Sequence, residues 1–267
     1  MLTFHKTIAG CEAADALAWR GFIADYSPVF LTISRIYLPA AAPDPTWKET
    51  LGGVAADNYT LLRGFEHQSE REFLSGLREY HLGSRALSLG APQGQMPELS
   101  RAGIEATLHG LPLVHQEVIF LKLAGYSDAT LEKMFRITPS VAAGSVARLA
   151  PAYAGALGSD ADAGWQPSAW LKLLTELWKC GEESCPPLRL LIRIQDGQVG
   201  WQEKQPAEKR LAECLHCMER WTALKELSYW RSAAPPITPD QIESFLAAVP
   251  VREETPKSKP LLKRLFG

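Results

Sequence analysis

Apolar residues recur at helical spacing over most of the chain. The first such run consists of Phe22, Ile23, Tyr26, Val29, Phe30, Ile33 and Ile36. Prolines interrupt the pattern after it, and further runs begin at Trp47 and at Glu70. Positions three and four apart share one face of a helix, so these runs predict amphipathic helices. Residues 98–157 show the same spacing, after a turn-rich linker at 90–97.

The pattern changes after residue 165. Residues 188–202 contain two short apolar runs on either side of Asp196-Gly197, a dipeptide typical of two-residue β-hairpin turns. A long helix is predicted next, over residues 207–230, and prolines end it. The sequence therefore predicts a mainly α fold with a small hairpin-helix unit in its C-terminal part.

These boundaries divide the chain into four predicted parts. With 267 residues it can form two or three small domains. We expect a helical domain over 1–95, a second helical domain over 96–157 and a cysteine-containing hairpin-helix domain over 158–248. The remaining segment, 249–267, contains several Lys and Arg residues beside prolines, and we expect a flexible basic tail.

The composition is that of a globular protein, with 46% hydrophobic and 22% charged residues and a net charge of −2. A dedicated nucleic-acid-binding protein is often more basic, although a local basic patch would suffice. No apolar run is long enough to span a membrane, and the N-terminal residues lack the pattern of a signal peptide. We therefore expect a cytoplasmic protein without a membrane span.

Chemistry-bearing motifs of enzymes are not found in the sequence. It contains neither the GxGxxG pattern of dinucleotide binding nor the GxxxxGK pattern of phosphate loops. We also find no nucleophile-base pattern and no paired carboxylates. The expectation is that the protein is not an enzyme.

Four of the five cysteines form two pairs, Cys180-x4-Cys185 and Cys214-x2-Cys217. In a cytoplasmic protein, such pairs indicate metal or redox chemistry before structural disulfides. Cys214 and Cys217 would share one helix face, and the predicted hairpin would bring the first pair to them. The pattern is compatible with a zinc site of four thiolates, with four buried thiols or with disulfides. His216 points away from the pair on the predicted helix, and we expect it at the surface.

Residues 125–138, GYSDATLEKMFRIT, have the features of two helices joined by a tight turn. Gly125 would end the preceding helix, Ser127 would cap the next one, and Leu131 and Met134 would face the core. This stretch resembles the C-terminal helix-turn-helix of the extracytoplasmic-function sigma factors of RNA polymerase. A looser resemblance to the N-terminal domain of these sigma factors extends the match to about residues 12–157.

The resemblance implies two partners, core RNA polymerase and promoter DNA. The helices within 47–85, especially around 71–74, correspond to those that bind polymerase in the family. The family's recognition helix corresponds to the segment that starts at residue 138, and the residues expected to contact DNA are Thr138, Ser140, Val141, Ser145 and Arg148. Ala143 and Ser145 stand where the family has a Lys and an Arg, and Arg136 replaces the glycine of the tight turn.

The segment 210–221 resembles the zinc-binding helix of anti-sigma proteins. The family pattern is His-x3-Cys-x2-Cys, and here Arg210 occupies the position of the histidine before Cys214 and Cys217. Cys180 or Cys185 could replace that ligand. The resemblance thus implies zinc as a cofactor, and an anti-sigma or other regulatory protein as a further partner.

Three hypotheses of function follow. The first is a transcription regulator of the sigma factor type that takes part in transcription initiation by binding core polymerase and promoter DNA. The second is a protein-interaction module that has kept the sigma-like body without DNA reading, its helix-turn-helix serving only for packing. The third, compatible with both, is a zinc or thiol sensor whose C-terminal domain gates the first half.

Overall fold

A computed structural model describes residues 3–64, 69–86, 100–148 and 167–252. In these residues the chain forms α-helices and no β-strand, which confirms the mainly α fold. The helices before residue 149 are α1 (Phe4–Glu12), α2 (Ala16–Tyr37), α3 (Pro43–Gly64), α4 (Glu70–Ala86), α5 (Arg101–Leu108), α6 (Leu113–Leu123), α7 (Asp128–Phe135) and α8 (Pro139–Val146). Those after residue 166 are α9 (Pro167–Lys179), α10 (Leu188–Gln195), α11 (Trp201–Glu213), α12 (Leu215–Ala233) and α13 (Pro239–Leu246).

The predicted N-terminal helices are present where the apolar spacing placed them. Helix α2 begins at a standard cap, because the Asp15 carboxylate accepts hydrogen bonds from the backbone N–H groups of Leu17 and Ala18. Its apolar face is buried, with Phe22, Ile23 and Phe30 fully inaccessible to solvent. This face packs mainly on α1, α3, α12 and α13.

The predicted β-hairpin around Asp196-Gly197 is wrong. Residues 188–195 form α10, and α11 starts at Trp201. Gly197 has φ of 69°, and the N–H groups of Gly197 and Gln198 donate to the carbonyls of Ile194 and Arg193. This is the glycine-ended stop of an α-helix. The Asp-Gly dipeptide did not distinguish the two structures, because a glycine with positive φ occurs at the ends of α-helices as well as in hairpin turns.

The predicted long helix over 207–230 is interrupted at Cys214. Cys214 has an extended backbone, with φ of −135° and ψ of 115°, and separates α11 from α12. It is therefore the N-cap residue of α12, and Cys217 lies in the first turn of that helix. The two cysteines approach each other through this cap geometry rather than as neighbours on one continuous helix.

Helix α12 lies at the centre of the fold. It contacts α2 and α4 from the first predicted domain, and α6 and α7 from the second. The larger apolar core accordingly contains residues of all three predicted domains, for example Phe22, Phe120 and Met218. The linkers predicted at 90–97 and 158–164 lie outside the described residues, as does most of the predicted basic tail.

A buried polar cluster connects these parts at the middle of α12. Arg78 of α4, 2% exposed, donates to Glu219 and Glu226 of α12 and to the Tyr37 hydroxyl, with N···O distances of 2.7, 2.5 and 2.9 Å. Glu226 also accepts a hydrogen bond from the Tyr126 hydroxyl. Burial, and then the charge of Glu226, raise the pKa of Tyr126 well above its ordinary value, so this hydroxyl stays a donor. We name these five residues the Arg78 cluster.

Replacement of Arg78 by Met should lower the free energy of unfolding by about 3–5 kcal/mol, because it leaves two buried carboxylates without their cation. Arg193→Met is the matched control, since Arg193 pairs with Glu203 at the surface and such pairs contribute under about 1 kcal/mol. Urea denaturation followed by circular dichroism measures both. Equal losses for the two variants would contradict the role given to the cluster.

Candidate functional site

Three cysteines meet at the N-terminal end of α12. Cys185 lies in the loop between α9 and α10, Cys214 lies between α11 and α12, and Cys217 lies in the first turn of α12. Their sulfur atoms all lie within 4.8 Å of one another, and those of Cys185 and Cys214 are 3.9 Å apart. The three cysteines are therefore close enough to hold a metal ion.

The fourth predicted ligand, Cys180, does not belong to this group. It directly follows α9, and its sulfur is not among the three that lie together. Cys180 instead interacts with the guanidinium of Arg101 in α5. Of the predicted four-thiolate set, the described structure thus brings together Cys185, Cys214 and Cys217. The prediction relied on a hairpin that would bring Cys180 and Cys185 together onto Cys214 and Cys217. Because residues 188–195 form α10 instead, only Cys185 reaches the other two.

The three thiols do not share the same acidity. A hydrogen bond from the Cys217 thiol, aided by the Cys217 backbone N–H and the charge of Arg210, lowers the pKa of Cys214 to about 5. The same hydrogen bond and burial raise the pKa of Cys217. In the metal-free chain, Cys214 is therefore the thiolate and Cys217 the proton donor. A metal ion bound here would displace the remaining protons.

Arg210 takes the place that the resemblance assigns to a ligating histidine. Its Nη2 atom lies 2.5 Å from a carboxylate oxygen of Glu182 and 3.8 Å from the sulfur of Cys185. A guanidinium is always protonated and has no lone pair to offer, so it cannot ligate a metal. It can stabilise nearby thiolates by its charge.

His216 is buried, and its predicted surface position is wrong. Only 9% of the residue is exposed. Its Nδ1 atom lies 2.8 Å from the carbonyl oxygen of Leu177, which is in the last turn of α9. The reversal follows from the break at Cys214, which turns the start of α12 relative to α11. His216 is not one of the clustered ligands.

The second candidate site is formed by α6, α7 and α8. Gly125 follows α6 with φ of 105°, and the Ser127 hydroxyl accepts a hydrogen bond from the N–H of Thr130, as expected of a cap. Leu131 is fully buried, and Arg136 ends α7 in the left-handed conformation, with φ of 54°. The tight turn therefore exists although the family's glycine is absent, at a local backbone cost of about 1 kcal/mol.

The residues expected to contact DNA do not all reach the surface. Thr138, Ser140 and Arg148 are exposed and Val141 is half-buried. Ser145 is fully buried, and its hydroxyl donates to the Val141 carbonyl and lies 2.7 Å from Nδ1 of His115. The expected DNA contact of Ser145 is thus wrong, because this position of α8 packs on α6.

The surface of this helix-turn-helix carries few cations. Between residues 137 and 148, Arg148 is the sole charged side chain. Lys133 and Arg136 at the end of α7 are exposed. Because Lys and Arg supply most contacts to phosphate groups, three such residues would offer few contacts to a nucleic-acid backbone.

Comparisons with models of protein families, with curated proteins and with solved structures find no match to this chain. In the parts of the chain that the structure describes, no helix is long and apolar enough to cross a membrane.

Cys214→Ser should abolish metal binding, because it removes one of three clustered sulfur ligands. Cys180→Ser should retain it, since this thiol lies outside the group. The measurement is metal content by elemental analysis of protein purified under reducing conditions without chelator. Equal loss from both variants would show that Cys180 is a ligand after all.

Proposed function

We propose that this protein is a transcription regulator of the sigma factor type that binds core RNA polymerase. The observation that carries the proposal is the run α6–α7–α8, with its positive φ at Gly125, its cap at Ser127 and its left-handed turn at Arg136. These are the local geometries that the sigma pattern requires at the same positions. The helices α2 to α4 precede this run, in the order that the resemblance implies.

A second candidate function, a protein-interaction module without DNA reading, is favoured by the state of α8. This helix has eight residues, its position 145 is buried, and Arg148 beside it is exposed. Direct reading of bases needs several side chains that reach into the major groove. Loss of promoter reading would leave polymerase or another protein as the partner.

The C-terminal helices cover the surface that the resemblance assigns to polymerase. Helix α4 packs against both α9 and α12. Glu72, Phe73 and Leu74 are buried, and the Phe73 ring contacts Phe22 and Tyr26 of α2. Arg71 of the same helix donates hydrogen bonds to Gln195, the last residue of α10, and to Asp196, which follows it. We therefore propose that the C-terminal part gates binding of polymerase, in the manner of a regulatory domain within the same chain.

We further propose that the three cysteines hold a thiophilic metal ion, and zinc is the ion that the resemblance implies. Thiolates are preferred ligands of zinc, and metal binding at the start of α12 would stabilise the cap of the gating helix. Zinc would thus favour the covered form of α4.

Tyr126→Phe should increase the affinity for core polymerase several-fold. The change removes the hydroxyl that donates to Glu226 and accepts from the Trp230 indole, weakening the hold on α12 by about 1–2 kcal/mol. Binding of the full chain to purified core polymerase, measured at micromolar concentrations, checks this.

Tyr229→Phe is the control, because Tyr229 lies on α12 itself and its hydroxyl has no hydrogen-bond partner among the described residues. Absence of polymerase binding for the intact chain and for both variants would refute the sigma-type proposal. Equal binding by all three would instead refute the gating by α12.

DNA affinity should be weak and only mildly dependent on salt, because few phosphate contacts are available. The double change adds a cation in α8, Ala143→Lys, and one directly after it, Ala147→Arg, both at exposed positions. It should steepen the salt dependence of DNA binding by about 0.9 per added contact. Fluorescence anisotropy with duplex DNA over a range of salt concentrations measures it.

The matched control places the same two charges on α3, as Ala56→Lys and Thr60→Arg, both exposed. If the control steepens the salt dependence as much as the α8 variant, α8 is not the DNA-binding face. A steep dependence in the unmodified chain would contradict the expectation directly.

A further inference from the structure

The clustered cysteines provide three ligands, and the described structure supplies no fourth. No His, Cys, Asp or Glu of the described residues joins Cys185, Cys214 and Cys217 within ligand distance. A structural zinc site normally has four protein ligands in tetrahedral geometry. The three sulfur atoms fit a metal ion, but as a protein site for zinc they are incomplete.

Arg210 lies beside the thiols, at the sequence position that the resemblance assigns to a ligating histidine. The guanidinium reaches the sulfur of Cys185, and it simultaneously holds Glu182, the nearest carboxylate in the loop, in an ion pair. Arg210 thus lies next to the thiols without being able to coordinate a metal. Its ion pair also keeps the Glu182 carboxylate from acting as a ligand. Cys180 is similarly engaged by Arg101.

A cleft of about 410 Å³ opens beside Cys214. Arg101, Glu105, Glu182 and Arg210 contribute to its walls, and they form two ion pairs, Arg101 with Glu105 and Arg210 with Glu182. The cleft gives an ion a path to the sulfur atoms. Its paired charges leave the thiols as the strongest ligands along that path.

We propose that Cys185, Cys214 and Cys217 form a site for a soft ion that three thiolates are sufficient to coordinate. Arg210 occupies the sequence position of a fourth ligand and cannot coordinate zinc. The inference rests on the metal-binding role proposed above. It implies that the site binds zinc more weakly than it binds a soft ion. Soft thiolate ligands favour ions such as monovalent copper. Trivalent arsenic is a second source of the same three-thiolate chemistry.

The two ions differ in the charge that they leave in the site. Monovalent copper binds three thiolates with release of the thiol protons and no change of oxidation state, which gives a complex of charge −2. Arsenous acid condenses with three thiols, forming three As–S bonds and releasing three water molecules, which gives a neutral complex. Arg210 and the N-terminal end of α12 supply positive potential, which stabilises the copper complex and is indifferent to the arsenic complex.

Arg210→His tests the role of Arg210 against the matched control Arg210→Gln. The histidine supplies a fourth ligand and should raise zinc affinity by about tenfold or more, because it completes the set that zinc requires. The glutamine removes the charge without a strong ligand and should leave zinc affinity no higher than in the unmodified chain. Affinities are measured on the full metal-free chain under anaerobic conditions, by competition with chelators for Zn²⁺ and for Cu⁺.

Alkylation of free thiols, mapped by mass spectrometry, reports the number of ligands without any variant. In the chain loaded with Cu⁺ or with arsenite, Cys185, Cys214 and Cys217 should be protected while Cys180 reacts.

Arg210→Gln should lower the affinity for Cu⁺ and leave that for arsenite unchanged if copper is the favoured ion. An unchanged affinity for both ions would show that the charge of Arg210 does not favour copper over arsenic, and would still support the three-thiolate site.

Two outcomes would overturn the proposal. One is protection of Cys180 together with the other three, which would make the site a four-thiolate zinc site. The other is zinc affinity in Arg210→His no higher than in Arg210→Gln, combined with failure of Cu⁺ and arsenite to protect the three thiols. Zinc binding without protection by the soft ions would sink this inference alone, whereas absence of any metal would sink the proposed zinc role as well.

Discussion

A single buried cation organises the fold. Arg78 lies in α4 with almost no solvent contact, and its charge is neutralised by two carboxylates of α12, Glu219 and Glu226. A buried charge without its partner is strongly destabilising, so α4 and α12 must meet in one register. Tyr126, which follows α6, reaches the same Glu226. The position of α12 between α4 and the segment that follows α6 therefore follows from satisfying one guanidinium.

This arrangement places the cysteine group and the Arg78 cluster on the same helix. Cys214 and Cys217 begin α12, and Glu219 and Glu226 follow on its next turns. The second, smaller core, which includes Leu191, Leu211 and both of these cysteines, connects the metal-binding end to α10 and α11. Occupancy of the site and the covering of α4 thus depend on one element, which is the physical basis for the proposed gating.

The sequence predicted the helices well where apolar spacing extends over several turns, as in α2 and α4. It failed where a short signal has two structural meanings. Asp196-Gly197 serves a hairpin or a helix end, and the local pattern of residues 188–195 satisfies both periods. The break at Cys214 carries no proline or glycine signal, and it reversed the expectations for His216. The buried cluster was not predictable, because Arg78 and Glu226 are far apart in sequence.

The candidate site was predicted only in part, because local sequence patterns do not specify contacts between distant segments. Spacing alone identified Cys214 and Cys217 as neighbours, and the third partner depended on long-range packing. The departure from pattern at Arg210 was visible in the sequence, but its ion pair with Glu182 was not. Burial of Ser145 against His115 likewise depends on how α6 and α8 pack, which local sequence does not specify.

The central helix of this fold is synthesised after α2, α4 and α6, the helices on which it packs. Until residues 215–233 leave the ribosome, α2, α4 and α6 lack the surface on which they pack, and Arg78 has no carboxylate partner. Contacts of high sequence separation, such as the 148 residues between Arg78 and Glu226, slow folding because the loop must close before they form. The nascent chain therefore exposes these apolar helix faces until α12 has emerged, and transiently exposed apolar surface of this kind favours aggregation during folding.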